Sequence, residues 1–212
     1  IEWTAQQALI ARLQNMGQSC IAAKRFILQE TIADSFVERL QVLISQLRSG
    51  DPKDAATTIA PMARMDLRNE LHAQVERSLA LGAKLLTGGF SIGEQGAYYA
   101  PTILDHVQPG MPAFDEELFG PVFAIMRVGN AEEAIKLANQ TQFGLGGSVW
   151  TGDLASGEAL ARQIQAGCTF VNGIVKSDPR LPFGGIKDSG YGRELSYHGI
   201  REFVNIKTIW IR

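Results

Sequence analysis

A cysteine on a glycine-containing turn is the first feature of this sequence that could do chemistry. Cys20 follows residues 15–19, Asn-Met-Gly-Gln-Ser, where Gly17 interrupts a helical pattern. Backbone N–H groups at such a turn favour a thiolate and can stabilise an anion that develops during a reaction. The alternative is a small core hydrophobe, the commoner role of an unpaired cysteine. Cys168, within an apolar stretch, fits that alternative, whereas Cys20 fits it poorly.

Two later segments combine charged, aromatic and glycine residues. Residues 116–121 read Glu-Glu-Leu-Phe-Gly-Pro, and local chemistry alone predicts a solvated acidic turn there. Residues 182–194 read Pro-Phe-Gly-Gly-Ile-Lys-Asp-Ser-Gly-Tyr-Gly-Arg-Glu. Lys187 precedes the last glycines and no strand directly precedes the segment, so it matches neither a P-loop nor a dinucleotide fingerprint. We interpret it as a structural loop that passes close to other backbone, with Phe183 facing a pocket.

Helical and extended patterns alternate along the chain, and these elements must position the residues described above. Helices are predicted at residues 3–14, 32–47, 66–81, 131–139 and 154–165. Strands are predicted at residues 23–28, 84–87, 99–104, 122–128, 148–150, 168–171 and 203–211, with an irregular region at 172–192. The alternation predicts an α/β fold with a mostly parallel sheet and helices on both faces.

Length and composition limit the classes of function. The 212 residues are 45% hydrophobic, which predicts one compact globular domain. A net charge of −2 favours neither nucleic acid nor an anionic membrane as a partner, and no apolar stretch approaches the roughly 18 residues of a membrane span. Two cysteines without metal-ligand spacing predict a cytoplasmic protein with no disulfide framework and no metal site. A small molecule or another protein is the expected partner.

In their order and separation, the cysteine motif, residues 116–121 and residues 182–194 resemble the aldehyde dehydrogenase superfamily, and the resemblance runs through essentially all 212 residues. It implies that residues 1–212 form the catalytic cysteine domain of that family. It also implies oxidation of an aldehyde to a carboxylate with NAD or NADP as cofactor.

The resemblance assigns roles to individual residues. Cys20 matches the nucleophile, Glu117 the residue that binds the nicotinamide ribose hydroxyls, and Phe119 the aromatic residue at the nicotinamide end of the site. The family's cofactor-binding domain, its oxyanion-binding asparagine and its general-base glutamate all precede the cysteine motif and are not in this chain. We therefore expect a piece of a longer polypeptide that holds part of an active site and is inactive alone.

Within the superfamily, residues 60–68 and 197–203 resemble bacterial succinate-semialdehyde dehydrogenase-like proteins, which implies succinate semialdehyde as a substrate. Gln14 stands where other succinate-semialdehyde dehydrogenases have an arginine. Ser177 and Arg180, shortly before Phe183, are the predicted substitutes for binding the substrate carboxylate, because arginine can bind a carboxylate through two hydrogen bonds. The alternative is that both are solvated loop residues.

Two other classes of function stay open. The predicted final strand matches a family region that helps to join subunits, so we expect a homo-oligomer, and a non-catalytic relic or assembly module with the same fold is the main alternative. A cysteine hydrolase would need a histidine partner for Cys20. The three histidines, His72, His106 and His198, lie in no recognisable motif.

Overall fold

The computed structural model describes residues 1–93 and 95–212 and divides into two compact units. Unit 1 is Ile1–Gln140 and unit 2 is Thr141–Arg212. The assignment of residues 1–212 to one catalytic domain stays a prediction. Both clusters of buried hydrophobic side chains lie within unit 1.

Unit 1 contains a four-stranded sheet and its covering helices. Its elements are α1 (Glu2–Leu13), β1 (Arg25–Gln29), α2 (Glu30–Ser45), α3 (Met65–Ala80), β2 (Lys84–Thr87), β3 (Thr102–Asp105), α4 (Pro112–Asp115), β4 (Val122–Val128) and α5 (Ala131–Asn139). The strand order is β1-β4-β3-β2. Strand β4 pairs in parallel with β1 and β3, and β2 is antiparallel to β3.

The central strand β4 is covered on both faces, as the apolar run at its residues 122–126 predicts. Phe123 and Ile125 belong to the same buried cluster as the apolar residues of α1 and α2. Val122, Ala124 and Met126 belong to the cluster that contains the buried residues of α3 and α4. Because side chains alternate along a strand, one strand serves two cores. The predicted α/β fold, with a mostly parallel sheet and helices on both faces, is confirmed.

The amphipathic helix α2 shows why the outer layer forms. Its buried positions follow a spacing of three and four residues and include Ala33, Phe36, Val37, Leu40 and Ile44. That spacing places them on one side of a helix, with the polar residues on the other. Burial of each large apolar side chain stabilises the fold by about 1.5–3 kcal/mol. Packing of this face therefore holds α2 in unit 1.

Unit 2 is built differently. Its elements are β5 (Phe143–Gly144), β6 (Gly146–Val149), α6 (Leu154–Ala161), β7 (Cys168–Val171), β8 (Ile186–Lys187) and α7 (Ser196–Glu202). Strands β6 and β7 pair in parallel, and β5 pairs with β8 in antiparallel fashion. Throughout residues 141–212, all of which the structure describes, the buried positions are the glycines Gly144, Gly157, Gly185 and Gly199. Close backbone packing takes the place of a side-chain core here.

Three predictions for unit 2 need correction. The predicted strand at residues 203–211 is wrong: this segment is exposed, has no strand and follows the unpredicted helix α7. A strand needs a neighbour for its backbone hydrogen bonds, and no described residue pairs with this segment. Helix α6 ends at Ala161 rather than at residue 165, and the irregular region 172–192 contains the short strand β8.

Candidate active site

The pairing of β1 with β4 brings the cysteine motif next to the Glu-Glu-Leu-Phe-Gly-Pro segment. The register places Arg25 opposite Ala124, and the Ala124 N–H donates to the Lys24 carbonyl at 3.3 Å. Since the two strands run in parallel, the residues that precede them lie at the same edge of the sheet. Cys20 precedes β1 and Glu117 precedes β4, so sheet pairing collects residues from two distant motifs.

The chain reaches Cys20 through a tightly wound turn. Asn15, Met16 and Gly17 are three consecutive residues with positive φ, at 48°, 57° and 74°. A side chain on Gly17 would place its Cβ 2.2 Å from the carbonyl oxygen of Gly120. Both the left-handed backbone and this close approach require glycine. The turn thereby packs directly against the end of the Glu-Glu-Leu-Phe-Gly-Pro segment at residues 116–121, which we call the second motif.

Cys20 lies on the exposed tip of the next turn, as its position after α1 predicts. The Ala22 N–H donates to the Ser19 carbonyl at 3.0 Å and closes the turn around Cys20. The Cys20 N–H belongs to the same planar peptide as the Ser19 carbonyl and points in the opposite direction, away from the turn interior. The Gln18 side chain accepts the Ala63 N–H at 2.9 Å and ties the turn to its surroundings. The thiol is solvent-accessible on a turn fixed by backbone bonds.

Lys24 joins the cysteine turn to the second motif. Its Nζ donates to the carbonyl oxygens of Cys20 at 3.2 Å and Ala22 at 3.3 Å, and it contacts Glu117 Oε1 at 2.9 Å. An ammonium group has three donors, and these three acceptors can use all of them. The Nζ also lies 5.8 Å from the centre of the Phe119 ring. Burial lowers the pKa of Lys24, while the hydrogen bond and the charge of Glu117 act in the opposite direction.

The second motif presents alternate residues to different surroundings. Glu116 accepts two hydrogen bonds from Arg77, at 3.0 and 2.9 Å, and one from Gln74 at 2.9 Å. Arg77 and then Gln74 lower the pKa of Glu116, because both stabilise the carboxylate. Leu118 is buried in the core, whereas Glu117 and Phe119 are exposed. Glu116 and Leu118 anchor the segment, and Glu117 and Phe119 are available to a ligand.

A buried arginine lies beneath the cysteine turn. Arg12 is 0% exposed, and its Nη2 donates to the Gly17 carbonyl. Its Nε and Nη1 have no hydrogen-bond partner among the described residues. Burial lowers the pKa of Arg12 to about 10, and the charge of Glu117 opposes this change. The group therefore stays cationic near neutral pH, next to a turn whose Gly17 carbonyl it binds.

The residues predicted to contact the substrate lie in unit 2. Ser177 is exposed. The Arg180 guanidinium is also exposed, and it makes two hydrogen bonds to Asp178, at 2.9 and 2.6 Å. Phe183 is half-buried and exchanges two backbone hydrogen bonds with Glu194. The structure thus groups Cys20 with Glu117 and Phe119 in unit 1 and places these three residues in unit 2.

Sequence reasoning missed Lys24 and Arg12. Lys24 falls within the predicted strand 23–28, although it follows the cysteine by only four residues. Arg12 shares the buried face of α1 with Ala5, Ala8 and Ala11. A charged residue on an otherwise apolar helix face is a detectable signal, because charge is buried only where it has a specific use or partner.

The described residues contain neither a metal-binding cluster nor a membrane-spanning helix. In residues 1–93 and 95–212, no group of three or more His, Cys, Asp or Glu side chains is arranged to hold a metal ion. Within the same residues, no helix is long and apolar enough to cross a membrane.

Comparison with known proteins identifies the family. The sequence profile of the aldehyde dehydrogenase family matches residues 1–209. A succinate semialdehyde dehydrogenase [NAD(P)+] of Escherichia coli is 49% identical over 99% of this chain, which covers 46% of that protein. A probable succinate-semialdehyde dehydrogenase [NADP(+)] of Synechocystis is 51% identical over 96% of this chain and 45% of that protein.

A solved structure agrees. The succinic semialdehyde dehydrogenase of Streptococcus pyogenes, in complex with NADP+, superposes with a TM-score of 0.94 at 39% identity, over 98% of this chain and 46% of that one. The chain spans slightly less than half the length of these relatives. The chain belongs to the aldehyde dehydrogenase family.

Proposed function

We propose that this chain supplies the nucleophile and the nicotinamide-side contacts of an NAD(P)-dependent aldehyde dehydrogenase. The observation that carries the proposal is the direct connection from the Cys20 turn through Lys24 to Glu117, with distances of 3.2 and 2.9 Å. It joins a candidate nucleophile to a candidate cofactor contact within unit 1. The similarity to succinate-semialdehyde dehydrogenases supports the same activity.

In the proposed reaction, the Cys20 thiolate attacks the aldehyde carbon and forms a thiohemiacetal. The carbonyl oxygen becomes an oxyanion, and the outward-pointing Cys20 N–H is placed to donate a hydrogen bond to it. The carbon then loses a hydride and becomes a thioester with Cys20. Water, deprotonated by a general base that the family resemblance places in an earlier segment, hydrolyses the thioester to the carboxylate and releases the thiolate.

Glu117 and Phe119 fit the nicotinamide end of NAD or NADP. Lys24 contacts Oε1 of Glu117, and the Glu117 side chain is 41% exposed, so the carboxylate can also accept hydrogen bonds from ribose hydroxyl groups. Phe119 offers an exposed apolar ring beside it. When bound, the cofactor accepts the hydride. The two residues bind and orient its reactive end, and choice between NAD and NADP is proposed to lie in the earlier segment.

For the substrate we propose succinate semialdehyde, with Ser177, Arg180 and Phe183 as contacts. Its distal carboxylate could replace Asp178 as the partner of Arg180, because the guanidinium binds any carboxylate through the same two-bond geometry. The names of the relatives support this substrate.

Residues 1–212 would then act as the catalytic cysteine domain of a larger, cytoplasmic polypeptide and be inactive alone. The exposed segment 203–212 also supports a role in assembly, as a homo-oligomer contact. Its exposed apolar residues are Phe203, Val204, Ile206, Ile209, Trp210 and Ile211. A purely non-catalytic assembly module is the second candidate, and it does not require a reactive Cys20.

Single-turnover acylation separates the two candidates. With p-nitrophenyl acetate, the Cys20 thiolate should take the acetyl group and release p-nitrophenolate in one stoichiometric burst. Cys20→Ala should lose the burst, and Cys168→Ala should keep it. A burst that survives Cys20→Ala, or no burst at all, would refute a nucleophilic role and favour the assembly module.

The complete reaction is tested by following reduced cofactor with succinate semialdehyde and short aliphatic aldehydes. The 212-residue chain should show no turnover, since loss of a general base alone costs about 10²–10⁴-fold. A polypeptide that also contains the earlier family segment should turn over, and Glu117→Gln should slow its hydride-transfer transient more than it weakens overall cofactor binding. An unchanged rate of hydride transfer would show that Glu117 does not position the cofactor.

A further inference from the structure

We propose that Lys24 is a positioning residue for the nucleophile: it fixes the Cys20 turn so that the Cys20 N–H stays aimed at the developing oxyanion, and Glu117 holds Lys24 in place. The inference rests on the proposed function of Cys20 and Glu117. Lys24 would not touch the reacting atoms itself.

The first step of the argument is the bonding of the turn. The Ser19 carbonyl is held from inside by the Ala22 N–H, and the Cys20 and Ala22 carbonyls are held by Lys24 Nζ. Peptide planarity links each carbonyl to the next N–H, so fixing these carbonyls restricts the rotation of the peptides around Cys20. The direction of the Cys20 N–H is therefore set by a turn of which Lys24 forms one side.

The second step is the position of Lys24 itself. Its side chain is 21% exposed, so a free ammonium group there would lose part of its hydration without compensation. Glu117 Oε1, at 2.9 Å, compensates and favours the charged form. The same carboxylate is the proposed ribose contact. Lys24 thus couples the geometry of the nucleophile to the residue that holds the nicotinamide end.

The neighbouring residue Arg25 also carries a positive charge, but its side chain has different partners. Arg25 donates to the carbonyl oxygens of Leu137 and Ala138, at 3.2 and 2.8 Å, and packs over the Phe114 ring. Its contacts tie β1 to the end of α5 and leave the cysteine turn untouched. Of these two adjacent cations, Lys24 alone bonds to both motifs.

The test compares two reactions of one thiol in a Cys168→Ala background. Acylation by p-nitrophenyl acetate passes through an oxyanion, whereas alkylation by iodoacetamide does not. Both reactions start from the same Cys20 thiolate, so the ratio of their rate constants cancels any change in the thiolate fraction and is sensitive to the oxyanion donor. Lys24→Met should lower this ratio about tenfold, a fraction of the 10²–10³-fold that complete loss of an oxyanion donor costs.

The controls use the same charge change elsewhere and a conservative replacement. Lys53→Met, at an exposed loop position of unit 1, should leave the ratio unchanged. Lys24→Arg should restore most of it, because a guanidinium can still donate to the carbonyls and to Glu117. Glu117→Gln should lower the ratio by less than Lys24→Met, and the double variant should fall no further than Lys24→Met.

The outcomes are distinct for the two proposals. An absent burst in the Cys168→Ala parent refutes the nucleophilic function itself. A normal burst with a ratio that Lys24→Met leaves unchanged, or that Lys53→Met lowers equally, overturns the role of Lys24 and leaves the function standing. If Lys24→Met fails to fold, Glu117→Gln and Lys24→Arg test the proposal instead. A ratio equal to that of the parent in Glu117→Gln, or a ratio that Lys24→Arg lowers tenfold, would overturn the positioning role of Lys24 and Glu117.

Discussion

Units 1 and 2 use different means to reach a folded state. Unit 1 buries side chains in two clusters on either side of its sheet, and its buried residues include Leu40, Phe123 and Ile125 at 0% exposed. In unit 2 the buried positions are glycines, and its large apolar side chains are half-buried or exposed. The sheet and helices that carry Cys20 and Glu117 thus have a hydrophobic core, whereas unit 2 depends on close approaches of its backbone.

The largest expected effect compares one leucine from each unit. Leu40→Ala should cost about 2–5 kcal/mol of unfolding free energy, because it opens a cavity beneath the sheet. Leu154→Ala removes a side chain that is 66% exposed and should stay within about 0.5 kcal/mol. Urea unfolding followed by circular dichroism measures both. Equal costs would mean that the two units do not differ in the way described.

A backbone approach is the corresponding weak point of unit 2. A Cβ on Gly167 would lie 1.7 Å from the Gly184 carbonyl oxygen, so Gly167→Ala should destabilise unit 2 by about 1–3 kcal/mol. Hydrogen exchange should then accelerate across residues 141–212 and remain unchanged in α2. Gly152→Ala, which meets no atom within 4 Å, is the matched control. Equal exchange in the two variants would contradict the glycine-packing account.

The ion pair between Asp105 and Arg127 in the sheet of unit 1 should make the free energy of unfolding depend on pH. Burial raises the pKa of Asp105, but hydrogen bonds from Arg127 and from the His106 N–H outweigh burial, so the pKa lies below its usual value. The pair stabilises the folded state fully above the unfolded-state pKa of about 3.9, and the stabilisation is lost as the pH falls through the lower folded-state value.

Asp105→Asn should therefore cost about 1–3 kcal/mol at pH 7 and progressively less below pH ~4, as measured by urea midpoints from pH 7 to 2. Asp66→Asn is the control, because Asp66 pairs with Arg64 at a fully exposed position where solvent screens the charge. A difference between Asp105→Asn and the parent that stays constant down to pH 2 would contradict this assignment.

The smallest expected effect is a difference between the alkylation rates of the two cysteines. Cys20 is exposed in unit 1, while Cys168 in unit 2 is half-buried, and burial raises its pKa against an opposing effect of Arg193. Brief iodoacetamide treatment and peptide mapping should show Cys20 labelled about tenfold faster in the native protein. In urea the two rates should converge. Preferential native labelling of Cys168 would show that the turn does not expose the Cys20 thiol.

Most elements of unit 1 were predictable from sequence because their patterns are local. The bounds of β2, β4 and α5 agree with the predictions at Lys84–Thr87, Val122–Val128 and Ala131–Asn139. The segment 203–211 shows the limit of such patterns. Apolar, β-branched and aromatic residues favour a strand at this segment, but a strand forms only where another backbone supplies its hydrogen bonds.

The sequence by itself determined the α/β class, the order of the long helices and the sheet strands of unit 1, and the cysteine, Glu-Glu-Leu-Phe-Gly-Pro and glycine-loop motifs, since these depend on spacing along the chain. Only the tertiary structure decided that Arg77 and Gln74 hold Glu116, whereas the neighbouring Glu117 contacts Lys24. It also decided that Lys24 joins Cys20 to Glu117. The physical reason is that such contacts form between segments far apart in sequence, through the parallel register of β1 and β4, and that register is set by the packing of two cores.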